Sequence, residues 1–121
     1  MSSVANKSER TVKLTDENFN SFISGPRPVF ADFWASWCGP CMAMEPVVER
    51  LAEKYGDRVV FGKVNVDEEM NISSRYQVFS IPTFMVFKGG QPMEAVIGAV
   101  GEPSLERLLK AVLGDSSQDA R

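Results

Sequence analysis

Both cysteines of the chain lie in one short segment, WASWCGPCMAMEP, with only two residues between them. Cys38 and Cys41 enclose Gly39 and Pro40. Two cysteines at this spacing could form a structural disulfide, supply half of a metal site, or act as a reactive dithiol. The surrounding residues must distinguish these three kinds of chemistry.

The structural and metal interpretations are weakly supported. A bridge between Cys38 and Cys41 closes a very short loop, for which chain entropy predicts only about 2 kcal/mol. Structural zinc usually takes four Cys or His ligands, and this chain has 2 cysteines and no histidine, so we expect no metal. The lack of histidine also excludes Cys–His and Ser–His nucleophile pairs. A proton acceptor must therefore be a carboxylate, Lys, Tyr, Cys or water.

The position of the pair favours thiol–disulfide exchange. The cysteines follow an apolar segment typical of a buried strand and open a predicted helix, whose first position suits Pro40. Unpaired N–H groups at a helix start stabilise an anion by about 0.3–2 kcal/mol. Because the thiolate attacks in disulfide exchange, we expect a solvent-facing Cys38 to be the nucleophile. Cys41, more enclosed in the first turn, would resolve the mixed disulfide.

Resolution by Cys41 requires a proton acceptor, and Asp32 is the first choice. It interrupts the otherwise apolar segment 29–35. It could be a strand-end carboxylate in contact with water, or a buried carboxylate with a raised pKa that acts as base for Cys41. Lys63 is the one charged residue of segment 59–66. It could be solvated, or it could tune Asp32 from a neighbouring strand; the sequence leaves these alternatives open.

The rest of the chain predicts a single α/β domain. Its 121 residues, 44% hydrophobic and 24% charged, suit one folded unit. The hydrophobic pattern predicts the order β-α-β-α-β-α-β-β-α, with a sheet that is parallel in its first part, ends in a hairpin, and is covered on both faces. We predict disordered tails at 1–10 and 115–121, flanking a domain at 11–114. The predicted strands are 11–14, 29–35, 59–66, 83–87 and 93–97, and the predicted helices are 16–23, 40–55, 69–76 and 103–113.

Charge and hydropathy restrict the partners and the location. The net charge of -3 argues against nucleic acid or an anionic membrane as the main partner. The polar N-terminal segment lacks the apolar core of a secretory signal, and no apolar run approaches the roughly 20 residues of a membrane helix. We expect a soluble, monomeric protein of the cytoplasm.

The segments FADFWASWCGPC, KVNVD, SIPTFMVF and KGG, together with Gly98, resemble the thioredoxin family across roughly residues 10–113. The resemblance implies a thioredoxin fold, a central mixed β-sheet of about five strands flanked by about four helices. It implies a thiol–disulfide oxidoreductase that reduces protein disulfides. No separate cofactor is implied, because electrons pass through the reversible disulfide and are resupplied by a thioredoxin reductase.

The same resemblance assigns roles by matching position. It implies that Cys38 is the nucleophile and Cys41 the resolving cysteine. It also implies that Asp32 is the buried proton acceptor and Lys63 its tuning neighbour. Pro82, which base rates alone place in trans at a strand start, is implied to be a cis proline beside the dithiol. The implied surface for an extended substrate segment, held partly by backbone hydrogen bonds as in strand addition, comprises Trp37, Gly39, Pro40, Ile81 and Gly98.

Two residues depart from the family pattern. Gln77 stands where a small residue is common, and Met42 stands where a basic residue often follows the second cysteine. Met42 could pack within the helix; if exposed, it would make the rim of the site more apolar and less positive. We hypothesise that an exposed Met42 shifts the choice of reductase or substrate.

An alternative function within the same fold is a partner-binding or chaperone-like subunit. Such a protein would use the surface around Pro82, and its redox activity would be incidental. The presence of both cysteines and of Asp32 favours the oxidoreductase.

Overall fold

A five-stranded mixed sheet lies at the centre of the domain in the computed structural model, which describes residues 10–114. The predicted disordered tails, apart from Arg10, lie outside the described residues. The predicted order of strands and helices is confirmed. The strands are β1 Val12–Lys13, β2 Val29–Trp34, β3 Val60–Asn65, β4 Thr83–Lys88 and β5 Gln91–Ile97, and the helices are α1 Phe19–Ile23, α2 Gly39–Tyr55, α3 Met70–Arg75 and α4 Glu102–Leu113.

Strand β2 occupies the middle of the sheet, whose order is β1-β3-β2-β4-β5. Strands β1, β3 and β2 are parallel, whereas β4 is antiparallel to both β2 and β5. This arrangement confirms the predicted mixed sheet with a terminal hairpin. Because β2 has neighbours on both sides and helices on both faces, its residues 29–33 are buried, and Trp34 at its end is half-buried.

The alternation of side chains along β2 directs Asp32 toward helix α2. Phe30 packs in the cluster that contains the buried residues of α2 and α4. Phe33 packs in the cluster on the opposite face, with residues of α1 and α3. Since residues two apart on a strand share a face, Asp32 faces α2 with Phe30. Lys63 shares that face, because Phe61 on the same strand also packs against α2.

Helix α2 is fixed by its N-terminus and by its inner stripe. Its N-cap is Cys38, whose backbone is extended, and Pro40 occupies the first turn. The helix continues through Pro46 and ends at Tyr55. Its buried residues recur at helical spacing and anchor it on the sheet: Cys41, Met44, Val48, Leu51, Ala52 and Tyr55.

Helix α1 begins later than predicted, because a turn precedes it. The Thr15 N–H donates to Asn18 Oδ1 at 2.8 Å, and the Asn18 N–H donates to Thr15 Oγ1 at 3.1 Å. Asp16 does not cap α1; its Oδ1 accepts a hydrogen bond from the Ile72 N–H of α3 at 3.0 Å. The first residue of the predicted helix therefore stabilises the first turn of another helix.

Gly62 provides a test of how tightly β1 packs on β3. A Cβ at this position would overlap the side chain of Leu14, which is fully buried. We expect Gly62→Ala to lower the free energy of unfolding by about 1–3 kcal/mol through overpacking, as measured by denaturant titration. Gly25→Ala is the control, since its nearest contact is 3.4 Å away, and we expect a change below about 0.5 kcal/mol. Equal effects of the two variants would contradict the packing argument.

Candidate active site

Cys38 and Cys41 are joined by a disulfide at the start of α2, with their Cα atoms 5.3 Å apart. The Sγ atom of Cys38 accepts a hydrogen bond from the Cys41 N–H at 3.1 Å. This N–H is one of the helix-start donors that have no partner within the helix. The same donor would stabilise a Cys38 thiolate in the reduced protein, so the geometry singles out Cys38 as the sulfur placed to carry negative charge.

The expected difference in exposure between the two cysteines is not found. Cys38 is 4% exposed and Cys41 is 3% exposed, so the prediction of a solvent-facing Cys38 is wrong for the disulfide form. Trp34, Val66 and Ile81 pack around the pair. The cysteines differ in their positions relative to the helix start, and this difference, rather than exposure, separates their chemistry.

Asp32 is a buried carboxyl group. It is 3% exposed and lies opposite Lys63 of β3 and Phe84 of β4. Desolvation by burial raises the pKa of Asp32 from its ordinary value of 3.8 to about 7, although Lys63 lowers it. Within residues 10–114, no group donates a hydrogen bond to this carboxyl. The structure thus has the buried form of Asp32 and not the strand-end carboxylate in contact with water.

Lys63 matches neither the solvated lysine nor the simple partner of Asp32 that the sequence allowed. Its electrostatic effect lowers the pKa of Asp32, but its Nζ donates to Glu45 Oε2 at 2.8 Å. The Nζ also lies 4.7 Å from the centroid of the Trp34 ring. Glu45 was not predicted as a site residue. The signal that would have found it is its position one helical turn after Cys41, which places both side chains on the same side of α2.

The loop before β4 lies against the dithiol. The Ile81–Pro82 peptide bond is cis, and Ile81 packs against the cysteines. The carbonyl oxygen of Pro82 accepts a hydrogen bond from the Gly98 N–H at 2.8 Å. Gly98 has a φ of 101°, which favours glycine. The end of β5 is thereby attached to the loop that borders the redox pair.

Several exposed residues surround the entrance to the site. Trp37 is largely exposed, and its Nε1 donates to Asp67 Oδ2 at 2.8 Å, a contact that the sequence did not predict. A Cβ added to Gly39 would meet open space, and Pro40 is exposed. Met42 is 37% exposed and so presents apolar surface, in contrast to the packed alternative.

Phe79 adds apolar surface that the sequence reasoning missed. It is among the exposed large hydrophobic residues and precedes Ile81 by two positions. Within residues 10–114, no cluster of His, Cys, Asp and Glu could hold a metal ion. In the same part of the chain, no helix is long and apolar enough to cross a membrane.

The model of the thioredoxin family matches residues 10–111. The chain belongs to the thioredoxin family. It is 48% identical to a thioredoxin of Alicyclobacillus acidocaldarius over 103 residues, which cover 85% of this chain and 98% of that protein. A bifunctional thioredoxin reductase/thioredoxin of Mycobacterium leprae is 39% identical over 104 residues, covering 85% of this chain and 23% of that protein.

A solved structure gives the same assignment. The oxidised form of mitochondrial thioredoxin 3 from Saccharomyces cerevisiae superposes with a TM-score of 0.80 at 34% sequence identity, covering 88% of this chain and 99% of that one. The fold is therefore the thioredoxin fold, as expected. The family membership also establishes a thiol–disulfide oxidoreductase that acts on protein disulfides, with the cysteine pair itself as the redox centre.

The raised pKa of Asp32 predicts a dependence of stability on pH. The carboxyl keeps its proton up to about pH 7 when folded but loses it near pH 4 when unfolded. The folded state therefore binds more protons between these values, and stability falls as pH rises through this window, by an amount on the order of 4 kcal/mol. We expect Asp32→Asn, which cannot ionise, to be more stable than the parent at pH 8 by a few kcal/mol and similar to it at pH 4.

Denaturant unfolding of the oxidised protein at several pH values would measure this difference. Asp57→Asn is the matched control, because Asp57 is exposed and should show no such pH-dependent gain. A gain from Asp32→Asn of the same size at pH 4 and pH 8 would contradict the assignment of a raised pKa to this group.

Proposed function

We propose that Cys38 attacks substrate disulfides, that Cys41 resolves the resulting mixed disulfide, and that Asp32 accepts the proton of Cys41. The observation that carries this proposal is the hydrogen bond from the Cys41 N–H to Cys38 Sγ at the start of α2. It gives the first cysteine the stabilised thiolate that attack requires.

The reaction transfers two electrons in two exchange steps. In the first, the Cys38 thiolate forms a bond to one substrate sulfur, and the other substrate sulfur leaves as a thiolate. In the second, Cys41 transfers its proton to Asp32 and attacks the Cys38 sulfur. The Cys38–Cys41 disulfide forms, and the remaining substrate sulfur leaves as a thiolate. The substrate is reduced and this protein is oxidised, with no other reactant.

The placement of Asp32 supports its role as proton acceptor. Its side chain faces α2, whose first turn carries Cys41 toward the sheet. A pKa of about 7 lets the group exchange a proton near neutral pH. This chain has no histidine. A carboxyl group whose pKa is raised by burial would therefore accept the proton near neutral pH, as imidazole does in other enzymes.

The loop at Ile81 supports docking of an extended substrate segment. Neither the N–H nor the carbonyl of Ile81 makes a hydrogen bond within the part of the chain that the structure describes. These free groups lie beside the redox pair and could pair with a substrate backbone as in strand addition. Trp37, Gly39, Pro40 and Gly98 would form the surrounding surface.

The electron donor proposed for this chain is a thioredoxin reductase. Support comes from the Mycobacterium leprae relative, whose name joins thioredoxin reductase and thioredoxin in one protein. A cytoplasmic location and a monomeric state are also proposed.

Two cysteine variants test the exchange mechanism. With dithiothreitol as electron donor and a soluble protein disulfide as substrate, we expect Cys38→Ser and Cys41→Ser each to lose at least about 100-fold in reduction rate, because each lacks one exchange step. When the reduced variants are freed of dithiothreitol and mixed with the substrate, only Cys41→Ser should accumulate a mixed disulfide, detectable by non-reducing electrophoresis and mass spectrometry. Reduction at the parent rate by Cys38→Ser would instead support the alternative partner-binding function.

The exposed Met42 provides a test of partner choice. We expect Met42→Lys to change kcat/KM severalfold with at least one of several thioredoxin reductases, because it replaces apolar rim surface with a positive charge. Its rate with dithiothreitol should stay near that of the parent. Met93→Lys makes the same change at another exposed methionine and should leave all rates near those of the parent. Unchanged kinetics of Met42→Lys with every reductase would refute the hypothesis.

A further inference from the structure

Glu45 is a charged residue that the exchange mechanism does not use, although it lies at the active site. It follows Cys41 by one turn of α2. Its Oε2 accepts a hydrogen bond from Lys63 Nζ of β3 at 2.8 Å. The side chains of Lys63 and Glu45 are 22% and 44% exposed, respectively, so this ion pair lies at the edge of the buried region and not deep within it.

The ammonium group of Lys63 is near two carboxyl groups, those of Glu45 and Asp32. Lys63 lies directly opposite Asp32 in the parallel pair of β2 and β3, and both side chains face α2. Yet the hydrogen bond of Lys63 goes to Glu45, and its Nζ rests over the Trp34 ring. Among the described residues, nothing donates a hydrogen bond to Asp32. Lys63 thus binds the carboxylate of Glu45 on the helix and not that of Asp32, its neighbour in the sheet.

Few other charges compete for these groups. The charged side chains that act on Asp32 are Lys63 from β3 and Glu45 from α2. Strand β4 places Phe84 opposite it, and the thiol of Cys41 is the further titratable group on α2 when the disulfide is reduced.

A cavity of about 470 Å³ borders Lys63 on the side of β1. Its lining includes Trp34 and also Lys13 and Glu68, which pair with each other at 3.5 Å. The other charged residues of the lining are thus paired with each other, whereas Lys63 pairs with Glu45.

We propose that Glu45 is a positioning residue that holds the Lys63 ammonium away from Asp32 and so sets how readily Asp32 takes the proton of Cys41. This inference rests on the proposed role of Asp32 as proton acceptor. The electrostatics agree with the geometry, because Lys63 lowers the pKa of Asp32 and Glu45 raises it. Removing the negative charge of Glu45 frees Lys63 to approach Asp32, and both changes favour the ionised carboxylate.

Glu45→Gln is the variant that tests the proposal, and Glu53→Gln is its control. Glu53 lies on the same helix but is exposed and pairs with Arg10. The first measurement is the titration of the Asp32 carboxyl carbon by NMR in the oxidised protein. We expect its midpoint in Glu45→Gln to move to lower pH by about half a unit or more. The midpoint in Glu53→Gln should stay at the parent value. An unmoved midpoint in Glu45→Gln would overturn the proposal without affecting the role of Asp32.

A second measurement separates this proposal from the proposed function. The rate at which Cys41 resolves a preformed mixed disulfide on Cys38 is followed by stopped flow from pH 5 to 9. We expect Glu45→Gln to resolve it about twofold faster at pH 6, because more Asp32 is ionised there. If the Asp32 titration moves and the resolving rate does not, then Glu45 controls the Lys63–Asp32 pair, but Asp32 is not the acceptor.

A third variant distinguishes positioning from direct repulsion. In a Lys63→Met background, there is no ammonium for Glu45 to hold. The shift in Asp32 titration caused by Glu45→Gln should then shrink to half or less of its original size. A shift of the same size in both backgrounds would show that Glu45 acts through its own charge, and it would overturn the positioning role.

Discussion

The burial of the Asp32 carboxyl in the central strand is the constraint around which this protein is organised. A sheet covered by helices on both faces buries residues 29–33 of β2, and an ionised carboxylate there is unfavourable. The result is a group that titrates near neutral pH. The same desolvation that makes the group useful to a chain without histidine also weakens the fold once the group ionises.

The topology brings three distant parts of the chain to the redox pair. The end of β2 leads directly into Cys38, the neighbouring β4 begins after the cis bond at Pro82, and β5 ends at Gly98. Because β2, β4 and β5 are adjacent in the sheet, these points meet at one edge. The hydrogen bond from Gly98 to Pro82 closes the arrangement. This strand order places the loop before β4 against the dithiol. The N–H and carbonyl groups of Ile81 in this loop make no hydrogen bonds within the described residues.

Local patterns in the sequence were enough to predict the strands and helices. The features that they did not predict depend on contacts between distant parts of the chain. The hydrophobic pattern predicted every strand and helix of the described domain, whereas the position of Asp32 within an apolar strand left open whether its carboxyl group is buried or in contact with water. The start of α1 was misplaced because Asp16 bonds to Ile72, 56 residues away. The cis bond at Pro82 came from family resemblance, since base rates favour trans. The enclosure of Cys38 depends on side chains from other segments, which no local pattern reveals.

The two cysteines must lose their protons at different stages of the reaction, and different groups in the structure favour each deprotonation. Cys38 must lose its proton while free, and an unpaired N–H at the helix start serves that purpose without any charged side chain. Cys41 must lose its proton only after a mixed disulfide has formed, and a group of matched acidity within the protein serves that step. A lysine bound directly to Asp32 would stabilise the carboxylate and make it a weaker base. An ion pair that holds Lys63 on the helix, beside the strand and not against it, keeps the ionised Asp32 a stronger base, and it also leaves a smaller fraction of Asp32 ionised below neutral pH.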